Sequence, residues 1–291
     1  MIAILKRELK AYFTSMQAYI YLALFVCVTG VFFSLICINY GYNDFAANVL
    51  SNFYYMIFIY AIAIPILTMR MFAEEKKQKT ETLLLTAPVS PWEIVLGKFL
   101  ACFAIFLIGL LIVSVFPVII AVNGNLPIAN TISGYVGIIL FSGCMIAVGT
   151  LISGLTEEPV IAVIVSAVFG LFTLFINVIV AILPNGVIAT FVFFGIVILG
   201  IAVLFYLDTK KLWISAVVVI AGAVVTVGLY FWKTNWFQYG LTNSLNWLSI
   251  EKRFEEFING AINLSSVVYL LSVTAICLFV TTRVIASRRW R

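Results

Sequence analysis

The 291-residue sequence contains no histidine and little charge, since Asp, Glu, Lys and Arg together make up only 10% of it. Without histidine the chain has no imidazole for general acid–base catalysis, for metal ligation or for a pH switch near neutrality. Its five cysteines include no C-x-x-C pair of the kind that metal and redox sites use, so we expect them to be small apolar packing residues. These absences exclude catalysis, metal sites and pH switches that depend on histidine.

A phosphate-binding loop is also missing. The only Gly-Lys pair is Gly97-Lys98, with Trp92 where the P-loop pattern needs its first glycine and Phe99 where it needs serine or threonine. We therefore predict that the chain is not an enzyme and that it holds no cofactor and no metal of its own.

Apolar residues are present in excess and make up 64% of the sequence, against about 45–50% in a soluble domain. They form runs of about 20 residues without the alternation of a membrane barrel strand. Because backbone groups in lipid must be bonded within their own segment, such runs are helices. The sequence predicts an all-α polytopic membrane protein with about eight transmembrane helices, at residues 17–39, 49–70, 98–122, 132–153, 160–182, 187–207, 212–231 and 266–285.

Charged residues are almost absent from the interiors of these runs. A charge at mid-bilayer costs about 2.5–3.5 kcal/mol on insertion scales, and those that persist usually carry function. Their scarcity disfavours an ion-coupled carrier and an intramembrane protease. If this protein moves a substrate, the energy comes from elsewhere.

The distribution of lysine and arginine predicts the orientation. With a cytoplasmic N terminus and an even number of spans, 14 of the 17 basic residues lie on the inner side, and only Lys233, Lys252 and Arg253 lie outside. This is the asymmetry of the positive-inside rule, and it places both termini in the cytoplasm. The net charge of +5 reflects this orientation and does not indicate nucleic-acid binding.

Two amphipathic stretches lie outside the predicted spans. Residues 1–14 predict an interfacial helix, with Lys6, Arg7 and Lys10 opposite an apolar face of Ile2, Leu5, Leu9, Tyr12 and Phe13. Residues 232–265 are predicted to be extracytoplasmic and to rest on the outer leaflet or cap the outer mouth. Their apolar face is Ile250, Phe254, Phe257, Ile258 and Ile262.

Charge is concentrated in the cytoplasmic region 71–97 and its flanks. Nine of the 29 charged residues lie between Arg70 and Lys98. Nothing from Phe72 to Leu85 breaks a helix, and Glu75 is spaced to pair with Lys79. After Pro88, the sequence Ser90-Pro91-Trp92-Glu93 is a capping box that starts a new helix leading into the third run.

This pattern predicts a rigid projection with an apolar tip at residues 83–89. An exposed apolar patch on a loop favours a partner surface. A basic loop whose leucines enter the lipid headgroups explains the same residues.

Four segments of the sequence resemble ABC-2 type permeases, the membrane subunits of ATP-binding cassette transporters, and in particular the gliding-motility-associated subgroup. Residues 69–99, "MRMFAEEKKQKTETLLLTAPVSPWEIVLGKF", resemble the segment between the second and third spans of that family. The other three are the amphipathic start "MIAILKRELKAYFTS", the link "ISGLTEEPVIAV" and the C-terminal stretch that begins "LSIEKRFEEF" at Leu248.

The resemblance implies a single permease domain over residues 1–291, with the family's six-helix core and an inserted two-helix hairpin at 187–231. It implies an exporter in the bacterial inner membrane, built from two permease chains, identical or homologous, and two ABC ATPase subunits that bind the ATP. The substrate path would run between the permeases. The coupling residues implied are Glu74, Glu75, Leu83, Leu84, Thr86, Pro88 and Val89. The alternative is a non-transporting membrane anchor or assembly factor that recruits a cytoplasmic partner.

Overall fold

The computed structural model describes residues 2–40, 45–80, 89–123, 127–182, 186–209 and 240–289, together with isolated positions between 213 and 230. In this part of the chain the regular structure is helical throughout. The helices are α1 (Ile2–Thr14), α2 (Gln17–Tyr40), α3 (Phe45–Thr68), α4 (Ala73–Lys77), α5 (Pro91–Val113), α6 (Val115–Asn123), α7 (Ile128–Leu155), α8 (Pro159–Ile182), α9 (Val187–Thr209), α10 (Gly240–Leu248), α11 (Ile250–Ile258) and α12 (Leu264–Arg289).

Six stretches of the described residues are long and apolar enough to cross a membrane. They are Ala18–Leu35, Met56–Lys77, Pro91–Val122, Ile128–Leu155, Pro159–Val180 and Leu264–Arg288. They coincide with the first five predicted runs and the last one, which confirms an all-α polytopic membrane protein. Helix α9 covers the sixth run, whereas most of the seventh lies outside the described residues. The total of about eight spans stays a prediction.

The chain divides into two compact units. Residues 175–249 form one unit, in which the amide of Leu241 donates to the hydroxyl of Thr190 at 3.3 Å and joins α10 to α9. Residues 1–174 and 250–291 form the other, here called the main unit. Its core joins α2, α3 and α5 through Phe25, Tyr60 and Phe106, whose ring centroids lie 5.1–5.8 Å apart.

Helix α7 runs through the centre of the main unit, and 78% of its span is buried. It packs against α3, α5, α11 and α12, and small residues permit that close approach. A Cβ atom added at Gly149 would lie 2.2 Å from the Thr68 hydroxyl of α3, and one at Gly137 would lie 2.8 Å from the Phe257 side chain of α11. Packing of small residues against neighbouring helices is the main attraction between helices in lipid.

Helix α1 packs chiefly against α5, whereas α11 packs against α7, which is about 42 Å long at 1.5 Å per residue. At its N-terminal half, Ser133 donates to the Phe257 carbonyl of α11 at 2.5 Å. The predicted apolar face is buried at Ile250, Phe254, Phe257 and Ile258, but Ile262 is 56% exposed and lies beyond the helix. Because α7 covers this face of α11, the face does not rest on the leaflet, and the alternative, a cap over the outer mouth, stays a prediction.

We expect Gly149→Ala to destabilise the main unit by about 1–3 kcal/mol, because its methyl group overlaps Thr68 in a packed interface. The matched control is Gly200→Ala in α9, where no described atom lies within 4 Å of the added Cβ and alanine is the better helix former. The measurement is the apparent Tm of each purified variant in detergent. Equal Tm values for the two variants would contradict close α7–α3 packing.

Candidate functional site

Three of the segments singled out in the sequence meet at one end of the main unit. They are α1, the stretch from Arg70 to Thr80 that contains α4, and the link between α7 and α8. The first two turns of α5 lie among them. Because most of the predicted cytoplasmic charges are on these elements, this end is the candidate functional site.

The ammonium of Lys98, on α5, is buried within the site and contacts side chains of two other helices. It is 2% exposed and lies 2.8 Å from Oε1 of Glu75 on α4 and 3.3 Å from Oε1 of Glu8 on α1. It also lies 5.2 Å from the centroid of the Phe72 ring, where a cation is attracted by the ring face. A buried charge persists where ion pairs and hydrogen bonds compensate its lost hydration, and Lys98 has both.

Arg7 extends this network to the surface. Its guanidinium lies 2.6 Å from Oε1 of Glu8 and 3.5 Å from Oε1 of Glu75. Two carboxylates and two cations therefore alternate across α1, α4 and α5. The network has no net charge, so these three helices can pack without like-charge repulsion.

The N terminus of α4 is capped by a residue some 80 positions away in the sequence. The hydroxyl oxygen of Ser153, on α7, accepts from the amides of Phe72 and Ala73, each at 3.1 Å, and donates to the Met69 carbonyl at 3.1 Å. The residue at the N-cap position itself, Phe72, makes no side-chain cap. Ser153 thus satisfies the orphan donors that a helix start leaves.

The other side of α4 binds the α7–α8 link. Lys76 donates to the carbonyls of Gly154 and Thr156, the latter at 3.0 Å, which places a cation at the C-terminal end of α7 where the helix dipole favours it. Lys77 pairs with Glu158 at 2.8 Å across an exposed surface. Helix α4 is therefore attached on three sides, to α1, α5 and α7.

The predicted helix from Phe72 to Leu85 is wrong in its length, because α4 ends at Lys77. Lys79 has a φ of +57°; its amide donates to the Lys76 carbonyl at 3.0 Å, and the next amide, Thr80, donates to the Glu75 carbonyl at 2.9 Å. These two bonds are the Schellman motif that ends a helix, with Lys79 where glycine is usual. The predicted Glu75–Lys79 side-chain pair fails because the helix does not continue, and Glu75 pairs with Lys98 and Arg7 instead.

The predicted capping box at the start of α5 is confirmed. The Ser90 hydroxyl accepts from the Glu93 amide and the Glu93 carboxylate accepts from the Ser90 amide, both at 3.3 Å, with Pro91 in the first turn. The helix therefore begins seven residues before Lys98 and carries that lysine into the buried layer.

A hydroxyl on α1 also ties this helix to the end of α3. Tyr12 is buried and donates to the Leu67 carbonyl at 3.3 Å. Burial raises the pKa of the Tyr12 phenol well above its usual value, so the group stays a donor.

The predicted coupling residues have different surroundings. Glu74 lies on the exposed side of α4, with its Oε2 3.5 Å from Nε of Arg70, whereas Glu75 faces inward. Val89 is half-buried and packs against the main core, although it was predicted at an exposed tip. Leu83, Leu84, Thr86 and Pro88 lie outside the described residues.

Sequence reasoning missed three residues of this site: Lys98, Glu8 and Ser153. Two signals were available. Lys98 follows the apolar start of a helix, and Glu8 lies on the apolar side of α1 beside Leu9 and Tyr12; a charge in either position requires a partner. Ser153 carries no local signal, since serine is common inside membrane helices that pack closely.

Comparison with known proteins bears on this arrangement. Residues 28–232 match the family described as ABC-2 family transporter protein. The chain belongs to the ABC-2 transporter family. No curated protein matches it.

The ABC-2 assignment makes the chain a transmembrane permease of an ABC transporter and a multi-pass membrane protein. Permeases of this family are membrane components of ABC transporters and are not themselves catalytic. Membership of the family implies an ABC ATPase as partner. The match runs through residues 187–231, which the resemblance treated as an insertion. The gliding-motility subgroup stays a prediction.

We expect Lys98→Met to destabilise this ABC-2 permease by about 3 kcal/mol, because it leaves the partly buried carboxylates of Glu8 and Glu75 without their shared ammonium. The matched control is Lys77→Met, which breaks an ion pair whose two side chains are 57% and 50% exposed and costs less than about 1 kcal/mol. Thermal unfolding in detergent measures both. Adding Glu8→Gln and Glu75→Gln to Lys98→Met is expected to recover part of the loss, and no recovery would contradict a charge-based role.

Ser153→Ala is expected to speed amide hydrogen exchange at Phe72 and Ala73, since it leaves two buried donors unbonded at a cost of about 1–3 kcal/mol. The control is Ser142→Ala in the same helix, whose hydroxyl donates only to its own helix at Ile139, at 3.0 Å. Unchanged exchange at Phe72 and Ala73 in Ser153→Ala would rule out the capping role.

Proposed function

We propose that this ABC-2 permease is the membrane subunit of an ATP-driven exporter of a bacterial inner membrane. In the proposal it works as two permease chains with two separate ABC ATPase subunits. The ATPases bind the region 74–89, and the ATP they hydrolyse supplies the energy that the sparsely charged spans do not supply. Family membership supports the transporter assignment, and the basic residues at one end of the main unit support a cytoplasmic face there.

The observation that carries the proposal is the three-sided attachment of α4. A contact transmits work only if displacement of the contacted element moves the spans with it. Lys98 connects α4 to α5, Ser153 connects it to α7, and Arg7 connects it to α1. Force applied at α4 therefore reaches the spans through salt bridges and hydrogen bonds.

In the proposal the coupling residues have two roles. Glu74, on the exposed side of α4, together with Leu83, Leu84, Thr86, Pro88 and Val89, forms the surface offered to the ATPase. Glu75 acts as a positioning residue, because its carboxylate is engaged by Lys98. For ATP to change the transporter, this surface must bind the two ATPase states with different affinity.

We expect Leu84→Glu to abolish co-purification of the ABC ATPase and its stimulation by the permease, because a carboxylate in an apolar groove contact is desolvated without a partner. The matched control is Ile262→Glu, an exposed apolar position at the opposite end of the main unit. Val89→Glu is less informative, since this half-buried side chain also packs against the core.

The measurement is ATPase yield in a pull-down with tagged permease, together with the ATPase rate of the complex. Loss in Leu84→Glu with retention in Ile262→Glu supports coupling through region 74–89. Retained co-purification and an unchanged ATPase rate in Leu84→Glu would contradict this coupling. A chain that recruits a cytoplasmic protein but stimulates no ATPase is the membrane anchor considered above.

A further inference from the structure

An apolar groove lies between α2 and α3 on the main unit. Its volume is about 460 Å³, within the about 300–1,000 Å³ typical of small-molecule sites. Only apolar side chains line it: Leu24, Val28, Phe32, Phe58, Ile59, Ile62, Ala63 and Ile66. On the surface of a membrane-spanning bundle, such a groove faces hydrocarbon.

The groove continues toward the cytoplasmic end into a smaller cavity of about 150 Å³. Leu24, Ala63 and Ile66 line both spaces, so the two spaces adjoin along α2 and α3. The smaller cavity differs from the groove in having polar residues in its wall, namely Tyr12, Tyr21 and Arg70.

One of these polar groups is buried without a partner. Tyr21 is 5% exposed, and its hydroxyl has no hydrogen-bond partner among the described residues. A buried hydroxyl in apolar surroundings costs free energy unless it is bonded. That oxygen is itself shielded from the cavity, so Tyr21 contributes its ring and not its hydroxyl to the wall.

The second polar group supplies charge. The Arg70 guanidinium has five N–H donors, and its only ion pair among the described residues is the weak contact with Glu74, 3.5 Å from Nε, with side-chain exposures of 37% and 32%. Pairs this exposed contribute about 0–1 kcal/mol, so Arg70 can bind another anion at little cost. Arginine suits phosphate because its planar fork can bond two oxygens at once.

The dimensions match one leaflet. From Thr68, the last residue of α3, to Phe58 the helix advances about 15 Å at 1.5 Å per residue, and half the hydrocarbon core of a bilayer is also about 15 Å. A ligand with its anionic group at Arg70 and its tail at Phe58 therefore has the length and polarity of an inner-leaflet phospholipid.

We propose that the α2–α3 groove is a specific binding site for an anionic phospholipid, with the phosphate at Arg70 and one acyl chain between Leu24 and Phe58. Charge complementarity at Arg70 and the length of the groove favour this occupant. The other possible occupant is a second copy of this chain, which would cover the groove with apolar side chains and leave Arg70 unused.

The test uses the full chain without any ATPase, so its outcome is independent of the coupling proposal. The chain is reconstituted with palmitoyl-oleoyl phosphatidylglycerol or with phosphatidylcholine of the same acyl chains, and retained lipid is counted by native mass spectrometry. We expect about tenfold stronger retention of phosphatidylglycerol, because both lipids offer Arg70 the same phosphate but the choline ammonium of phosphatidylcholine offsets its charge. Equal retention of the two lipids overturns the proposal.

The variants test headgroup binding and acyl-chain binding separately. Arg70→Gln is expected to remove the preference for phosphatidylglycerol, whereas the matched control Arg283→Gln, on α12 at the same end of the bundle, leaves it unchanged. Leu24→Trp, at a 45% exposed position that lines both spaces, is expected to lower retention of both lipids. Its control is Leu111→Trp, a 70% exposed position on α5 that lines neither space.

Three further results overturn the proposal. The first is wild-type retention in Arg70→Gln. The second is a Leu24→Trp chain that becomes monomeric while keeping its lipid, which identifies the groove as an interface between copies. The third is displacement of phosphatidylglycerol by inorganic phosphate with no effect of Leu24→Trp, which identifies an anion site alone.

Discussion

The ammonium of Lys98 is buried at the point where three helices meet, and each of those helices supplies part of its surroundings. Glu75 comes from α4, Glu8 from α1, and Lys98 itself from the second turn of α5. A charge in this position forces the elements together, since any one of them leaving exposes an unpaired charge to a low-dielectric layer. The short α4, which has only five residues and no stability of its own, is a helix because of this setting.

The same end of the bundle depends on small residues in α7. Because Gly149 has no side chain, Thr68 of α3 packs directly against α7. Ser153 therefore reaches the turn that follows α3. Ser153 can then bond the amides of Phe72 and Ala73, and Lys76 can reach the end of α7. Close helix packing in the membrane and the order of a cytoplasmic helix are thus parts of one arrangement.

The sequence predicted what is decided locally. Apolar run length predicted six spans that the structure describes, and the spacing Ser90-Pro91-Trp92-Glu93 predicted the start of α5, because a capping box involves only neighbours. The end of α4 could not be predicted in this way. Lys79 adopts a positive φ that local propensity disfavours, and the attachments that hold α4 come from residues 23 and about 80 positions away.

Glu8 is a second case in which a tertiary contact could not be predicted from the local sequence. The periodicity of α1 predicts that its apolar side faces the lipid headgroups, and a carboxylate in that setting does not indicate a protein partner. The actual neighbour of that side is α5, and Glu8 is the residue that makes α5 a compatible neighbour, because Lys98 is there. Which surface an amphipathic helix covers is a question of tertiary partners, and periodicity alone leaves it open.

Arg70 links the two proposals through a shared group. Arg70 lines the smaller cavity between α2 and α3. It also lines a second, polar cleft together with Glu74, Glu75 and Lys98. A phospholipid phosphate at Arg70 competes with Glu74 for the same donors. By linkage, any change in Glu74 that follows ATPase binding alters lipid affinity by the same factor that lipid alters ATPase affinity. Taken together, the two proposals therefore imply that lipid at Arg70 and the ATPase at Glu74 act on one equilibrium.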